Sequence, residues 1–128
     1  MPTEFFFTLY NTPGVLAELG SALGGQGINI KALVSISLGE RAELHVVVDD
    51  AEAATRALET YGLTFQRREV LEVQIRDKPG ALGTLAEAVA EAGGNIEAAY
   101  LTIGGTVILA VNDPVKAGAI ARRLGAKV

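Results

Sequence analysis

The tetrapeptides Asn11-Thr12-Pro13-Gly14 and Asp77-Lys78-Pro79-Gly80 occupy the same place in two similar halves of the chain. Each follows a run of aromatic, aliphatic and β-branched residues, at 4–10 and 70–76, which is typical of a β-strand. Each precedes an amphipathic run, which predicts a helix. Pro is favoured at a helix start, and Gly lets a small molecule or another backbone come close. We therefore predict two sharp strand-to-helix turns whose free N–H groups and positive helix-dipole ends suit a carboxylate or phosphate.

The similarity between the halves extends well beyond the turns. A shift of 66 residues aligns 11–30 with 77–96 without a gap. The identical pairs fall at the turn and on the apolar face of the helix: Pro13/Pro79, Gly14/Gly80, Leu16/Leu82, Leu19/Leu85, Ala22/Ala88, Gly27/Gly93, Asn29/Asn95 and Ile30/Ile96. This pattern indicates an internal duplication, with one domain at 1–68 and a second at 69–128.

Composition narrows the class of protein. Of the 128 residues, 49% are hydrophobic and 20% are charged, which is enough apolar material for a packed core. The net charge of -4 argues against binding to nucleic acid or an anionic membrane. The absence of cysteine excludes disulfides and thiolate metal sites. No apolar run is long enough to span a bilayer and the N-terminus does not resemble a signal peptide, so we expect a cytoplasmic protein.

Each half predicts the same order of elements. In the first, a helix over about 14–24 is followed by a hairpin around Gly39, a second helix capped by Asp49-Asp50, and a short strand at 63–67. In the second, Gly104-Gly105 predicts a two-residue hairpin turn, and Asp113-Pro114 caps the last helix. Only residues 125–128 remain for a final strand, which we expect to be short or frayed.

The order strand, helix, strand, strand, helix, strand matches the ferredoxin-like βαββαβ arrangement. The pattern Asn/Asp-x-Pro-Gly-[Val/Ala]-Leu, an apolar helix and then Gly-x-Asn-Ile resembles the ACT domain, and both halves carry it. The resemblance implies an α+β fold of two ACT-like domains in tandem, with antiparallel sheets and helices on one face. It also implies a non-catalytic regulatory protein that binds an amino acid without a cofactor, since most members of that family are amino-acid sensors attached to a metabolic enzyme.

The same resemblance implies where a ligand lies, namely where the turn of one domain meets the start of the second strand of the other. One such site comprises Asn11, Pro13, Gly14, Val15 and Leu16 with Asn95 and Ile96. The reciprocal site comprises Asp77, Pro79, Gly80, Ala81 and Leu82 with Asn29 and Ile30. The two sites differ in charge, because the second has Asp77 at the position of the neutral Asn11. Asp77 attracts an ammonium and repels a nearby carboxylate.

Other interpretations of these residues stay open at this point. Asn11 and Asp77 are also typical helix caps, and Asn29 and Asn95 are also typical of loop-to-strand junctions. A pure oligomerisation or interaction module, such as the regulatory subunit of a metabolic enzyme, would need no ligand. An acylphosphatase-type enzyme on this scaffold would need an Arg in a phosphate cradle, and neither turn has one.

A homodimer is expected from the strand pattern of the first half. By alternation, one face of its sheet carries an apolar patch away from the helices, formed by Phe6, Thr8, Tyr10, His45 and Val47. Such a patch is costly to leave in water. His45, the only histidine, is expected to be a surface or interface residue rather than a metal ligand or catalytic base.

Overall fold

The computed structural model describes residues 1–128. The chain forms two compact units. The N-terminal unit comprises Pro2–Arg68, and the C-terminal unit comprises Glu69–Val128 together with Met1. The elements of the first half are β1 (Thr3–Tyr10), α1 (Val15–Gly24), β2 (Ile30–Leu38), β3 (Arg41–Val48), α2 (Ala51–Thr60) and β4 (Gln66–Glu69). Those of the second half are β5 (Leu71–Val73), α3 (Ala81–Glu91), β6 (Ile96–Leu101), β7 (Val107–Val111) and α4 (Pro114–Arg123).

The N-terminal sheet has the strand order β2-β3-β1-β4, which is the ferredoxin-like order, with β3 antiparallel to both of its neighbours. The fourth strand begins at Gln66, later than the predicted 63–67. The residues before it have other roles, which the strand-like pattern does not reveal. Leu63 donates its N–H to Leu58 O and closes α2, and the Phe65 ring packs edge-on against Phe5 at 5.5 Å between ring centroids.

The core of the N-terminal unit lies between one face of its sheet and its two helices. Alternate residues of the central strands point to the same side, as the pleat requires. Its buried members are Phe5, Phe7, Leu19, Leu23, Ile28, Ala42, Leu44, Val46, Val48, Ala54, Ala57 and Leu58. The core thus fixes which face of α1 points inward, and with it the direction of the turn that precedes the helix.

The C-terminal sheet has the corresponding order β5-β7-β6. Its first strand covers only Leu71–Val73, shorter than the predicted 70–76, because its partner β7 begins at Val107, which pairs with Val73. The expected short or frayed last strand is a single bridge, in which Gln74 donates its N–H to Lys127 O at 2.8 Å. The β6–β7 loop holds three residues rather than two, since the Thr102 N–H bonds Thr106 O across it.

The core of the C-terminal unit repeats the same plan with smaller side chains. Its buried members come from β5, β7 and both helices: Leu71, Val73, Leu85, Val89, Val107, Leu109, Val111, Ala117, Ile120 and Ala121. The predicted caps of α2 and α4, the second helix of each half, are confirmed. The carboxylates of Asp50 and Asp113 accept hydrogen bonds from the N–H groups of Ala53 and Lys116 at 3.0 Å. No helix is long and apolar enough to cross a membrane.

The face of the N-terminal sheet opposite the helices holds a buried charge cluster. The fully buried Glu4 accepts a 2.6 Å hydrogen bond from Arg68 Nε, and His45 Nδ1 lies 3.2 Å from its other carboxylate oxygen. Of the surface or interface position predicted for His45, the surface position is wrong, because His45 is only 8% exposed and Val47 is not exposed at all. The interface position stays a prediction. The apolar patch from which a homodimer was expected is therefore smaller than predicted, since only Thr8 and Tyr10 are exposed and Phe6 is partly buried. The homodimer itself stays a prediction.

Candidate ligand-binding turns

The turn between β1 and α1 is built around Gly14. This residue is the N-cap of α1 and has a left-handed backbone, with φ 92° and ψ -4°. No side chain caps the helix, so the interpretation of Asn11 as a capping residue is wrong. The open space around the Gly14 Cα would admit a Cβ, and the positive φ is what favours glycine here.

The turn between β5 and α3 has the same construction. Gly80 is the N-cap of α3 with φ 86° and ψ -10°, and Asp77 does not cap this helix either. The hydrogen bonds correspond one to one. The N–H of Thr12 bonds Tyr10 O as that of Lys78 bonds Arg76 O, and the Glu18 N–H bonds Gly14 O as that of Thr84 bonds Gly80 O. The predicted pair of equivalent strand-to-helix turns is thus present in the structure.

Both turns leave backbone donors unused. The N–H groups of Leu16 and Ala17 at the start of α1 have no acceptor in the chain, and neither do those of Leu82 and Gly83 at the start of α3. These groups lie at the positive end of each helix, where they favour an anionic oxygen. Each turn therefore has the chemistry for a carboxylate, and both are exposed to solvent.

The first residue of each turn differs between the halves. Asn11 donates its side-chain Nδ2 to Gly39 O at 3.2 Å and its backbone N–H to Glu40 O at 2.7 Å, which ties the first turn to the β2–β3 hairpin. Asp77 is exposed and forms neither bond, and its carboxylate has no hydrogen with which to replace the Asn11 amide donor. It forms no ion pair with Lys78, so its charge is available to solvent or a ligand.

Asn29 and Asn95 lie just before β2 and β6. Their backbone groups form hydrogen bonds within the fold, and their side chains do not. The Asn29 N–H bonds the Asp49 carboxylate at 3.0 Å, and the Asn95 N–H bonds the Asn112 side-chain oxygen at 3.0 Å. Both asparagine side chains are exposed and make no hydrogen bond within the chain. Neither residue has a positive φ, so tolerance of turn geometry does not account for an asparagine there.

The structure does not bring the turn and the Asn-Ile pair of one unit together. Tyr10, next to the first turn, pairs with Arg41, whereas Ile30 pairs with Val48 at the other end of β3. Seven residue steps along a strand span roughly 23 Å. Each unit thus carries two separated parts of the predicted site, so one unit cannot complete that site alone.

The apolar residues predicted for the sites differ in how far they are exposed to solvent. Val15 and Ala81 are partly buried in the first turns of their helices, and Ile30 and Ile96 are partly buried at the strand starts. Leu16 and Leu82 are 48% and 47% exposed. Pro13 and Pro79 are exposed beside them. A ligand at either turn would meet an apolar side chain as well as the N–H groups.

Sequence reasoning missed the residues that hold the asparagines in place. Asp49 and Asn112 are equivalent positions directly after β3 and β7, and each returns its own N–H to the carbonyl of its asparagine. A polar residue at the same place after both buried strands was the available signal. The pair Asp49-Asp50 predicts a helix cap, a role that Asp50 performs alone.

Comparison with known proteins agrees with this architecture. Residues 3–60 match the family model of the ACT domain. The matched stretch lies within the N-terminal unit, whose strand order is that of an α+β ferredoxin-like fold. No curated protein sequence matches the chain.

Three solved structures share the fold over nearly the whole chain. A protein of Bacteroides thetaiotaomicron is 21% identical, with a TM-score of 0.87 over 98% of this chain and 89% of its own. The ligand-free regulatory subunit of aspartate kinase from Thermus thermophilus is 22% identical, with a TM-score of 0.74 over 94% and 88%. A structure of aspartokinase alpha and beta subunits is 14% identical, with a TM-score of 0.69 over 95% and 90%.

Proposed function

We propose that this protein is a non-catalytic regulator that binds an amino acid or similar small carboxylate between two ACT-like domains. The second of these domains is the C-terminal unit, taken as 69–128 beside 1–68. Because each unit carries separated parts of the site, the turn of one domain and the Asn-Ile pair of another complete it. The other domain belongs to the same chain or to a second copy in a homodimer.

The exposed, unbonded side chains of Asn29 and Asn95 are the observation that carries the proposal. A polar side chain that recurs in both halves without a structural partner is explained by something outside the chain that it binds. Its amide oxygen accepts a hydrogen bond from an ammonium group, and its nitrogen donates one to a carboxylate. The free N–H groups at the starts of α1 and α3 supply the second contact to the carboxylate.

The two sites differ in what they select. At the first turn Asn11 is neutral and held by Gly39 O, so the carboxylate of a ligand meets no opposing charge there. At the second turn Asp77 adds an acceptor for an ammonium and disfavours a carboxylate close to it. We therefore expect the site with the first turn to bind more tightly.

A metabolic enzyme is the proposed partner. The similar aspartate kinase subunit is called regulatory, which supports a role of this kind without identifying the enzyme that this chain regulates. We further propose a cytoplasmic location and no nucleic-acid or membrane partner, in line with the net charge of -4.

A thermal-shift panel of the standard amino acids tests the proposal. A ligand present at about 100 times its dissociation constant adds roughly 2.7 kcal/mol to native stability. We expect one amino acid or a small group of them to raise the melting temperature, and the response to fall when Asn29→Ala and Asn95→Ala are combined. A flat panel contradicts the proposal.

An interaction module without a ligand is the alternative function. It is favoured by the β6–β7 hairpin, where Leu101 is 68% and Ile103 is 84% exposed. Apolar side chains this exposed are common at protein interfaces. Under this alternative, Ile103→Ser changes association with itself or with the enzyme, while the amino-acid panel gives no response.

A further inference from the structure

A cavity of about 340 Å³ opens in the C-terminal unit beside the second turn. It lies between the residues that follow β5, the first two turns of α3 and the segment after α4. Its apolar wall is formed by Ile75, Ala81, Leu85, Leu124 and Ala126. The volume is at the low end of the roughly 300–1,000 Å³ typical of small-molecule pockets. This size fits a small organic molecule better than a nucleotide.

Two positions in the wall of the cavity have smaller side chains than the equivalent positions of the N-terminal half, namely Ala81 for Val15 and Ala126 for Leu63. Leu63 and Ala126 hold equivalent positions, each donating its N–H to the carbonyl five residues earlier, Leu58 O and Ala121 O. Leu63 packs against the core of its unit, as does Val15, for which the C-terminal half has Ala81. The N-terminal half thus supplies larger residues with which the cavity of the C-terminal half can be narrowed.

The charges around the cavity have one sign. Arg76 and Lys78 line it, no aspartate or glutamate does, and neither cation forms an ion pair in the chain. The equivalent residues of the N-terminal half are Tyr10 and Thr12, which carry no positive charge. Asp77 lines the wider groove outside the cavity rather than the cavity itself. The cavity thus combines an apolar interior with two unpaired cations and no carboxylate, and its other polar side chains, those of Gln74 and Thr84, are uncharged. Arg76 and Lys78 also line the neighbouring groove that contains Asp77.

From this combination we propose a further binding site, separate from the two at the turns, for a small aliphatic carboxylate without an amino group. Its hydrocarbon part lies against Leu85 and Ala126, and its carboxylate lies between Arg76 and Lys78. This site goes beyond the proposed amino-acid site, which depends on Asn29 and Asn95. Ala81 is shared by the two, whereas Leu85, Leu124 and Ala126 belong to the cavity alone.

Three related probes test the class of ligand. 4-Methylpentanoate has the apolar body and the charge, 4-methylpentanamide lacks the charge, and leucine adds an ammonium. In calorimetric titrations of the full chain carrying Asn29→Ala and Asn95→Ala, which removes the proposed amino-acid site from the comparison, we expect the acid at up to about 10 mM to bind at least roughly tenfold more tightly than the other two. Absence of binding by the acid overturns the proposal. Equal binding of leucine and the acid overturns the selectivity for molecules without an amino group.

Substitutions taken from the N-terminal half test the location. Ala126→Leu fills the cavity and is expected to abolish binding of the acid with no fall in melting temperature. Lys78→Thr removes one cation without filling the cavity, and we expect it to weaken binding of the acid at least about tenfold. Unchanged binding in both variants overturns the location.

The double variant Asn29→Ala/Asn95→Ala separates the two proposals. We expect it to retain binding of 4-methylpentanoate while it loses the amino-acid response. Loss of 4-methylpentanoate binding in this variant overturns the cavity as a separate site. A flat amino-acid panel with retained binding of the acid contradicts only the proposed amino-acid function.

Discussion

Asn29 and Asp49 hold each other by two hydrogen bonds, and neither bond uses the asparagine side chain. The Asn29 N–H bonds the Asp49 carboxylate at 3.0 Å, and the Asp49 N–H bonds Asn29 O at 3.1 Å. Asn29→Ala should therefore leave the free energy of unfolding within about 0.5 kcal/mol of the wild type, as should Asn95→Ala. Urea denaturation followed by circular dichroism measures this.

The matched control is Asp49→Ala. It removes the acceptor of the Asn29 N–H and should cost about 1 kcal/mol. If Asn29→Ala destabilises the protein as much as Asp49→Ala does, the asparagine side chain has a structural role and its value as evidence for a ligand is lost.

The buried carboxylate of Glu4 makes Arg68 more important to stability than Arg67. Both arginine side chains are 34% exposed, but Arg68 bonds the fully buried Glu4, whereas the Glu52 partner of Arg67 is 72% exposed. Removing one partner of a fully buried pair costs roughly 3–5 kcal/mol, and the partial exposure of Arg68 lowers this to about 2 kcal/mol. Arg67→Ala should cost about 1 kcal/mol or less.

Denaturant titration of the two variants side by side checks this difference. If Arg68→Ala and Arg67→Ala lower the free energy of unfolding equally, burial of Glu4 does not make the Glu4–Arg68 ion pair more important to stability than the exposed Glu52–Arg67 pair.

Two glycines of the same helix region should respond in opposite directions to a methyl group. Gly14 has φ 92°, so Gly14→Ala should destabilise the protein by about 1–2 kcal/mol through backbone strain. Gly20 lies inside α1 with open space around it, so Gly20→Ala should stabilise by roughly 0.5–1 kcal/mol. Melting temperatures measured by calorimetry give both signs, and a stabilising Gly14→Ala would contradict the turn geometry.

The parts of the fold that depend on periodicity were predictable from the sequence. The alternation of Phe5 and Phe7 and the helical spacing of Leu19 and Leu23 each determine a buried face, and these residues form the core. The end of the first half was misplaced, because Phe65 has a strand-like pattern but fills the core beside Phe5. Local pattern does not show which of two neighbouring apolar residues will enter the core.

The sequence predicted which residues form the candidate site better than it predicted the structural role of each. The glycines of the turns were predicted to make room for a ligand, whereas their positive φ is a requirement of the backbone itself. A surface or interface position was predicted for His45, and its burial was not, because strand alternation shows the side of a sheet and not what covers it. The wall of the cavity includes Ala81 and Ala126, positions at which the halves differ and which a comparison of identical residues passes over.

Titration calorimetry of the wild type and of the Asn29→Ala and Asn95→Ala variants tests the central claim most directly, using the amino acid with the largest thermal shift. A lost hydrogen bond to a charged ligand group weakens binding by about 1–3 kcal/mol. We expect a loss of this size at the site that each asparagine serves, with folding unchanged. Binding of equal strength in the wild type and both variants would contradict the account, as would the absence of binding heat with every amino acid.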